Sequence, residues 1–410
     1  MSDGSSAQPA AAGVGPATLL WLIAGLLMLQ PLATDLYLPA LPGIAAYFDV
    51  GVATVQWTLS IFVATFGAWQ LVAGPLSDRF GRYPVVVAGA FVYCGASLLA
   101  MAAPTIEVLV GARLLQAAGA CSSLVGARGI VRDLRSPTEA ARLLASASTI
   151  MSFAPLLGPL LGAYLFVAFG WRSAFAALSA LSVLLATAAA TRLQETNRRR
   201  NPNALRLRPM LRIYLEVARS PAFRAYTLAS TATYGGLFAF ISGSSFVLMR
   251  VLGLSAVGFA ASFATMVAGY LVGTLICRWL VARRGLQRTI GAGAALQVLA
   301  GTTMAALVAA GVHVPASIVA PMFFYGVAHG MIQPPAQAGA MAPFPHSAGA
   351  AAALMGFVMM LTAALVGLWI GASYDGTMFP LAFTICAASV ASALVAFTAV
   401  RRHGDVAAHG

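Results

Sequence analysis

Long runs of apolar residues, separated by short polar segments, constrain the fold of this chain more than any other feature. The run 177–190, for example, contains no charged residue. A helix crosses a bilayer with about 20 apolar residues, whereas a membrane β-barrel needs alternating segments of about ten residues. The chain is 60% hydrophobic and only 9% charged, against about 25% charged residues in soluble domains. The sequence therefore predicts an all-α membrane protein.

Twelve of these runs are long enough to span the bilayer, and we number them spans 1 to 12. They cover about residues 17–38, 53–76, 83–103, 106–129, 140–168, 172–192, 223–249, 256–281, 286–310, 315–340, 348–371 and 378–400. Span 1 is not expected to be a cleaved signal peptide, because it lacks a preceding basic segment, is too long and contains an acid.

The positions of the arginines predict the orientation of the chain. There is no lysine, and all 24 basic residues are arginine. If the N-terminus is cytoplasmic, Arg172 and Arg250 fall outside, Arg113 falls within a span, and every other arginine lies in or beside a cytoplasmic segment. We therefore expect both termini in the cytoplasm. This asymmetry accounts for the net charge of +13 without a nucleic-acid partner.

Polar segments divide the chain into five expected parts. These are a disordered tail (1–16), a six-helix bundle (17–192), a cytoplasmic linker (193–221), a second six-helix bundle (222–400) and a short tail (401–410). The linker is rich in arginine, which can attract anionic lipid head groups. It also contains a possible surface helix at Arg208–Arg219.

A charged segment between spans 2 and 3 carries the pattern G-x-x-x-D-R-x-G-R. Its five residues are Gly74, Asp78, Arg79, Gly81 and Arg82. We expect a turn at the membrane surface here, because a charge at the bilayer centre costs about 2.5–3.5 kcal/mol on insertion scales.

The pattern closely resembles the loop between helices 2 and 3 of major facilitator superfamily transporters. That resemblance implies a gating network in which Arg79 and Arg82 reach Asp133. A degenerate echo at Gly273–Arg278 supports two related six-helix halves.

Asp35 is the first candidate for the transport chemistry. An acid inside a membrane span indicates a functional site, and an apolar environment favours proton binding by a carboxylate. Alternatively, Asp35 is hydrated at the interface and caps a helix broken before Pro39 and Pro42. The string DLYLPALP resembles the first helix of the Bcr/CflA group of drug-resistance transporters. This resemblance implies proton-coupled drug export.

Span 4 carries Arg113, Gln116 and Gly119. A guanidinium cannot practically lose its proton, so a buried Arg113 needs acceptors or a water-filled cavity. The arrangement resembles a second motif of the family, in which an arginine is linked to proton coupling. Alternatively, Arg113 extends to the outer interface near Glu107.

Span 5 carries Pro155, Gly158, Pro159 and Gly162. Prolines and glycines permit a kink or a close approach of helices. A G-P-x-x-G pattern on helix 5 resembles that of exporters in this family, although ordinary close packing explains the same residues.

Four further residues are candidates for a substrate cavity: Tyr37, Tyr234, Phe238 and His329. Aromatic rings beside hydroxyl groups suit a drug, but packing roles are more common. His329 can titrate near neutral pH or serve as a hydrogen-bonded packing residue.

The sequence contains neither a nucleotide-binding P-loop nor a metal-ligand motif. We therefore expect no enzyme activity, no metal and no cofactor, and a proton gradient as the energy source. The resemblance implies antiport of protons and small lipophilic or amphiphilic drugs, such as phenicols or bicyclomycin-like compounds, by alternating access. It also implies a monomer in a bacterial inner membrane. The alternatives are a proton-coupled transporter of an amino acid or sugar, and a membrane sensor without transport.

Overall fold

The computed structural model describes residues 15–198 and 200–404. In these residues the chain consists of helices and their connections, with no strand. Our expectation of a disordered tail falls mostly on residues outside this range. Of the two tail residues within it, Gly15 precedes the helix of span 1 and Pro16 begins it. At the other end, Arg401–His403 continue as helix, while residues 405–410 lie outside the described part of the chain.

The first half contains spans 1 to 6, two of which are interrupted. Their helices are Pro16–Asp35, Leu38–Ala40 (a 3-10 turn) and Leu41–Tyr47 for span 1, Val52–Phe80 for span 2, Arg82–Met101 for span 3, Ile106–Leu134 for span 4, Pro137–Met151 and Ala154–Phe169 for span 5, and Arg172–Arg192 for span 6. A linker helix, Leu207–Arg219, then leads to the second half.

The second half contains spans 7 to 12. Its helices are Pro221–Ser245 and Phe246–Val251 (a π-helix) for span 7, Ala256–Ala309 for spans 8 and 9, Ala316–Met341 for span 10, Ala348–Ser373 for span 11, and Phe379–Val395, Ala396–Val400 (a π-helix) and Arg401–His403 for span 12.

These helices confirm the predicted twelve spans. Ten helical segments in the described chain are long and apolar enough to cross a membrane. One of them, Ala256–Ala309, holds two spans because the backbone at Gly285 is non-helical, with φ 77°. The remaining span, Ala316–Met341, is 26 residues long and stays helical through three internal prolines. The fold is therefore all-α, with twelve transmembrane helices in two six-helix bundles.

The charged segment between spans 2 and 3 is not the turn that we expected. Span 2 remains helical as far as Phe80, and span 3 begins at Arg82. The reversal takes place at Gly81, whose φ of 109° is rarely adopted by residues with a side chain. The corresponding break in the second half is at Gly285, farther along than the echo at Gly273–Arg278 suggests.

Span 5 is broken in the middle, between Met151 and Ala154. Its first part, Pro137–Met151, begins with a capping box between Ser136 and Glu139. Its second part starts at Ala154, directly before Pro155, and proline fits the first turn of a helix. The proline-glycine motif therefore starts a new helix.

The two halves meet along spans 2 and 11, and along spans 5 and 8. Close to the end away from the chain termini, Gln56 Nε2 donates a hydrogen bond of 2.5 Å to the Ser242 carbonyl. Arg250 donates one of 2.7 Å to the Pro42 carbonyl. Ala163 of span 5 clusters with residues of span 8 at the same level. These contacts close that end of the molecule between the halves.

Candidate functional site

Asp35 lies at the point where the first helix of span 1 ends, and only 5% of it is exposed. Its Oδ1 is 3.0 Å from the Thr34 hydroxyl, which can donate to it or to the Pro31 carbonyl at 2.9 Å. No ion pair reaches Asp35 within residues 15–198 and 200–404. Asp35 is therefore a buried acid without a cationic partner, which does not fit the interfacial, hydrated alternative.

Two glycines of span 5 allow that span to pack directly against the helix end at Asp35. A methyl group at Gly158 would lie 3.0 Å from the Asp35 Cβ. A methyl group at Gly162 would overlap the carbonyl oxygen of Leu36. The close approach that the sequence suggested for span 5 thus has a defined partner, namely the non-helical segment that follows Asp35.

A cluster of aromatic residues in the second half includes one that interacts with Asp35. Tyr234 of span 7 is within electrostatic range of Asp35. Its ring centre is 6.2 Å from that of Phe238 and 6.3 Å from that of His329. Tyr270 of span 8 lies 5.7 Å from His329 on the same measure. Tyr234, Phe238 and His329 therefore form one cluster, and its Tyr234 is within electrostatic range of Asp35.

His329 is buried and belongs to a polar network that connects spans 7, 9 and 10. Its Nδ1 is 3.1 Å from the Thr233 hydroxyl. Gln297 donates to the same hydroxyl at 2.8 Å, and Tyr325 donates to the Thr233 carbonyl at 2.9 Å. Because Thr233 Oγ1 accepts from Gln297, its own proton is available for Nδ1. This arrangement suits a neutral ring that carries its proton on Nε2.

Arg113 occupies a separate position inside the first half and is fully buried. Its guanidinium carbon lies 4.2 Å from the centre of the Phe62 ring and 4.6 Å from that of Tyr37. Its Nε donates to the Thr58 carbonyl at 3.2 Å. Arg113 is therefore held by ring faces and a carbonyl group, and it does not extend to the interface near Glu107.

The other residues of the span 4 motif support this position. Arg113 Nη1 donates to Gln116 Oε1 at 2.6 Å, and Gln116 in turn donates to the Ser97 hydroxyl at 2.8 Å. Gly119 lets span 4 approach the backbone of span 3 at Tyr93, which a side chain would overlap. Nη2 of Arg113 has no hydrogen-bond partner among the described residues.

Tyr37, which we grouped with the cavity residues, packs inside the first half. It is fully buried, and its hydroxyl lies 2.8 Å from that of Thr58. Its ring lies against Arg113 on one side and 5.8 Å, between centres, from Phe175 on another. Tyr37 thus connects the segment after Asp35 with Arg113.

The charged pattern at the end of span 2 forms a network centred on Arg82. Its guanidinium lies 2.6 Å from Asp78 and 3.1 Å from Asp133. Gly129 leaves room for the Arg82 side chain, since a methyl group there would lie 2.8 Å from its Cδ. Of the two arginines expected to reach Asp133, only Arg82 does so.

Arg79 lies outside this network. In the described chain it forms no ion pair, and its guanidinium lies 5.3 Å from the centre of the Phe80 ring. Because the helix continues to Phe80, Arg79 projects about 100° away from Asp78 around the helix axis.

Glu195, which follows span 6, belongs to the same network but was not among the predicted residues. Glu195 accepts a hydrogen bond of 2.9 Å from the Arg82 backbone and forms an ion pair of 3.5 Å with Arg200. It also covers Gly81 so closely that a side chain there would overlap its carboxylate. The motif gives no signal for Glu195, because this residue is distant in sequence. Thr233 and Gln297 were also missed, although polar residues inside spans could have indicated them.

Two bundles of membrane-spanning helices, with a buried acid where they meet, define the architecture of a membrane transporter. The family model described as the Major Facilitator Superfamily matches residues 23–367, and the chain belongs to this family. The structure is similar to a solved D-xylose-proton symporter, with a TM-score of 0.71 and 16% identity over 93% of this chain and 97% of that one.

Curated relatives in the family match over most of their length. A "Chloramphenicol resistance protein" of Pseudomonas aeruginosa is 34% identical, covering 80% of this chain and 77% of its own. A "Bicyclomycin resistance protein homolog" of Haemophilus influenzae is 28% identical, covering 92% and 94%. "Multidrug resistance protein D" of Escherichia coli is 30% identical, covering 82% and 84%.

Proposed function

We propose that this protein exports small lipophilic or amphiphilic drugs in exchange for protons. The observation that carries the proposal is Asp35, a buried acid without a cationic partner where the two halves meet. The names of the relatives, which refer to bicyclomycin, chloramphenicol and multidrug resistance, support drugs as the substrate class. Phenicols and bicyclomycin-like compounds are therefore the first substrates to test.

The exchange follows from the cost of burying a charge. A carboxylate removed from water without a partner is penalised in its charged form. Binding a proton removes that penalty, and so does opening the site to water. A drug that donates hydrogen bonds to Asp35 stabilises the charged carboxylate and thereby displaces the proton. Proton and drug therefore bind in alternation, and the proton gradient drives export.

Arg113 connects the state of Asp35 to the packing of the first half. No ion pair joins Arg113 to Asp35 in the described chain, so the connection is indirect. It runs through Tyr37, two residues after Asp35, whose ring lies against the Arg113 guanidinium. A shift of the Asp35–Tyr37 segment on proton binding would change this contact. Because span 5 packs on the same segment, its position would also change.

The gating contacts lie at opposite ends of the molecule. The Arg82 network joins spans 2, 3 and 4 at the end that carries the chain termini. The hydrogen bonds Gln56 to Ser242 and Arg250 to Pro42 join the halves at the other end. Alternating access requires the second set to break when the site opens outward.

The proposal includes a location and an oligomeric state for the protein. The arginine asymmetry supports cytoplasmic termini and insertion in a bacterial inner membrane. The transport step needs neither covalent chemistry nor a cofactor, and one chain of two bundles suffices for it. We therefore propose a monomeric transporter that is not an enzyme.

Two measurements test the proposal. The first is a drug-susceptibility panel in an efflux-deficient bacterial host with and without the protein, which should show protection against at least one phenicol or bicyclomycin-like compound. The second is efflux of that compound from proteoliposomes with an imposed pH gradient. Asp35→Asn should abolish gradient-driven efflux, whereas the matched exposed variant Asp375→Asn should retain it. Protection against no drug, together with movement of an amino acid or sugar, would overturn the proposal.

A further inference from the structure

The linker helix Leu207–Arg219 is fixed at the surface of the membrane domain. Its Tyr214 hydroxyl donates a hydrogen bond of 2.9 Å to the Leu71 carbonyl of span 2, and its Val217 is buried. Ser220 follows the helix directly and caps span 7, which begins at Pro221. Because the helix ends next to the start of a span, it lies at the level of the lipid head groups.

One side of this helix carries exposed leucines. Leu207, Leu211 and Leu215 are spaced four residues apart and therefore share a face. Their exposed fractions are 67%, 53% and 56%. Tyr214 and Val217, which hold the helix against the protein, project from the adjacent side of the helix. Exposure of such an apolar stripe to water would be unfavourable, which indicates that the three leucines face a less polar environment.

Arginines lie beside the leucine stripe. Arg208, Arg212 and Arg219 project within about 40° of one another around the helix axis, next to Leu215. All three are exposed. Within residues 15–198 and 200–404 they form no ion pair. The helix has a single acid, Glu216, which projects beside Arg212 on the side away from the leucines.

We propose that this helix lies on an anionic phospholipid surface. The leucines enter the boundary between head groups and acyl chains, and the arginines bind lipid phosphates. This pattern of a leucine stripe flanked by cations is that of an interfacial amphipathic helix, and guanidinium groups pair well with phosphate oxygens. The positive charge favours an acidic membrane over a neutral one. The inference does not depend on the substrate or on Asp35.

The test places an environment-sensitive NBD fluorophore on the leucine stripe. The full-length protein carries Leu211→Cys, with alanine at the four native cysteines, Cys94, Cys121, Cys277 and Cys386. It is inserted in nanodiscs of neutral phosphatidylcholine alone or mixed with anionic phosphatidylglycerol, each with a trace of doxyl-labelled lipid as quencher. Arg208→Gln/Arg212→Gln/Arg219→Gln is the test variant. Arg284→Gln/Arg401→Gln/Arg402→Gln removes three exposed arginines elsewhere and serves as the matched control.

We expect lipid quenching and a blue-shifted emission in anionic nanodiscs. Three arginines correspond to roughly a hundredfold preference for the anionic surface, so the test variant should lose more than half of the quenching and the control should keep it. Salt of about 1 M should weaken the effect by screening, whereas millimolar inorganic phosphate should not. Equal emission in neutral and anionic nanodiscs would overturn the proposal. So would emission typical of water, or a blue shift only on addition of a soluble protein.

Discussion

The contact between span 5 and the helix end at Asp35 leads to a quantitative prediction for Gly162→Ala. The added methyl group would overlap the Leu36 carbonyl oxygen. Because the overlapping atoms belong to the backbone, no side-chain rotation can relieve the overlap. Overpacking of this kind costs about 1–3 kcal/mol. The gain in helix propensity from Gly to Ala returns up to about 1 kcal/mol, so we expect a net loss of roughly 1–2 kcal/mol.

The assay for Gly162→Ala compares two readouts with a matched control. Gly95→Ala places a methyl group in a helix where nothing lies within 4 Å, so it should keep or slightly raise stability. The thermal midpoint of Gly162→Ala in nanodiscs should fall by up to about 2–4 °C for each kcal/mol lost. Gradient-driven efflux by Gly162→Ala should fall by a larger factor than its stability. The added methyl group would push away Leu36, which directly follows Asp35. Stability and efflux equal to those of the control would refute the reasoning.

Three further predictions concern the polar contacts. Tyr325→Phe removes the hydrogen bond to the Thr233 carbonyl and should cost about 1 kcal/mol; an unchanged thermal midpoint would contradict this. Arg82→Lys loses the contact of one guanidinium with both Asp78 and Asp133 and should lower stability by about 1 kcal/mol. A double-mutant cycle with Asp133→Asn measures the coupling energy of the Arg82–Asp133 pair, and a coupling energy of zero would contradict this prediction. Hydrogen bonds from Thr377 hold the pKa of the exposed Asp375 below its ordinary value of 3.8. The ionised Asp375 therefore stabilises the folded protein slightly above pH 3.8, and this stabilisation is lost as the pH falls through the lowered pKa. Asp375→Asn should flatten this part of the stability–pH profile, and an unaltered profile would disprove the effect.

Much of the fold could be predicted from the sequence, because span length and hydropathy are local properties. The break between spans 8 and 9 is at Gly285, where the backbone angles are non-helical. The prediction of a turn at Gly74–Phe80 was wrong, because charges near a membrane surface are compatible with the end of a helix as well as with a turn. The single residue that reverses the chain, Gly81, is identified by its backbone angle.

The candidate site could be predicted only in part. Asp35 and Arg113 stand out in the sequence as charges inside spans. Their separation, and the location of Tyr37 between Asp35 and Arg113, depend on how spans 1, 2 and 4 pack. The contact of Gly162 with Leu36 is likewise tertiary, because these residues belong to different spans.

The central claim is that Asp35 gives up a proton when the drug binds. The most direct measurement is proton release from purified protein in weakly buffered solution, followed with a pH indicator while the exported drug is added. The wild-type protein and Asp375→Asn should release protons in proportion to bound drug, and Asp35→Asn should bind the drug without releasing any. Equal proton release from Asp35→Asn would contradict the account.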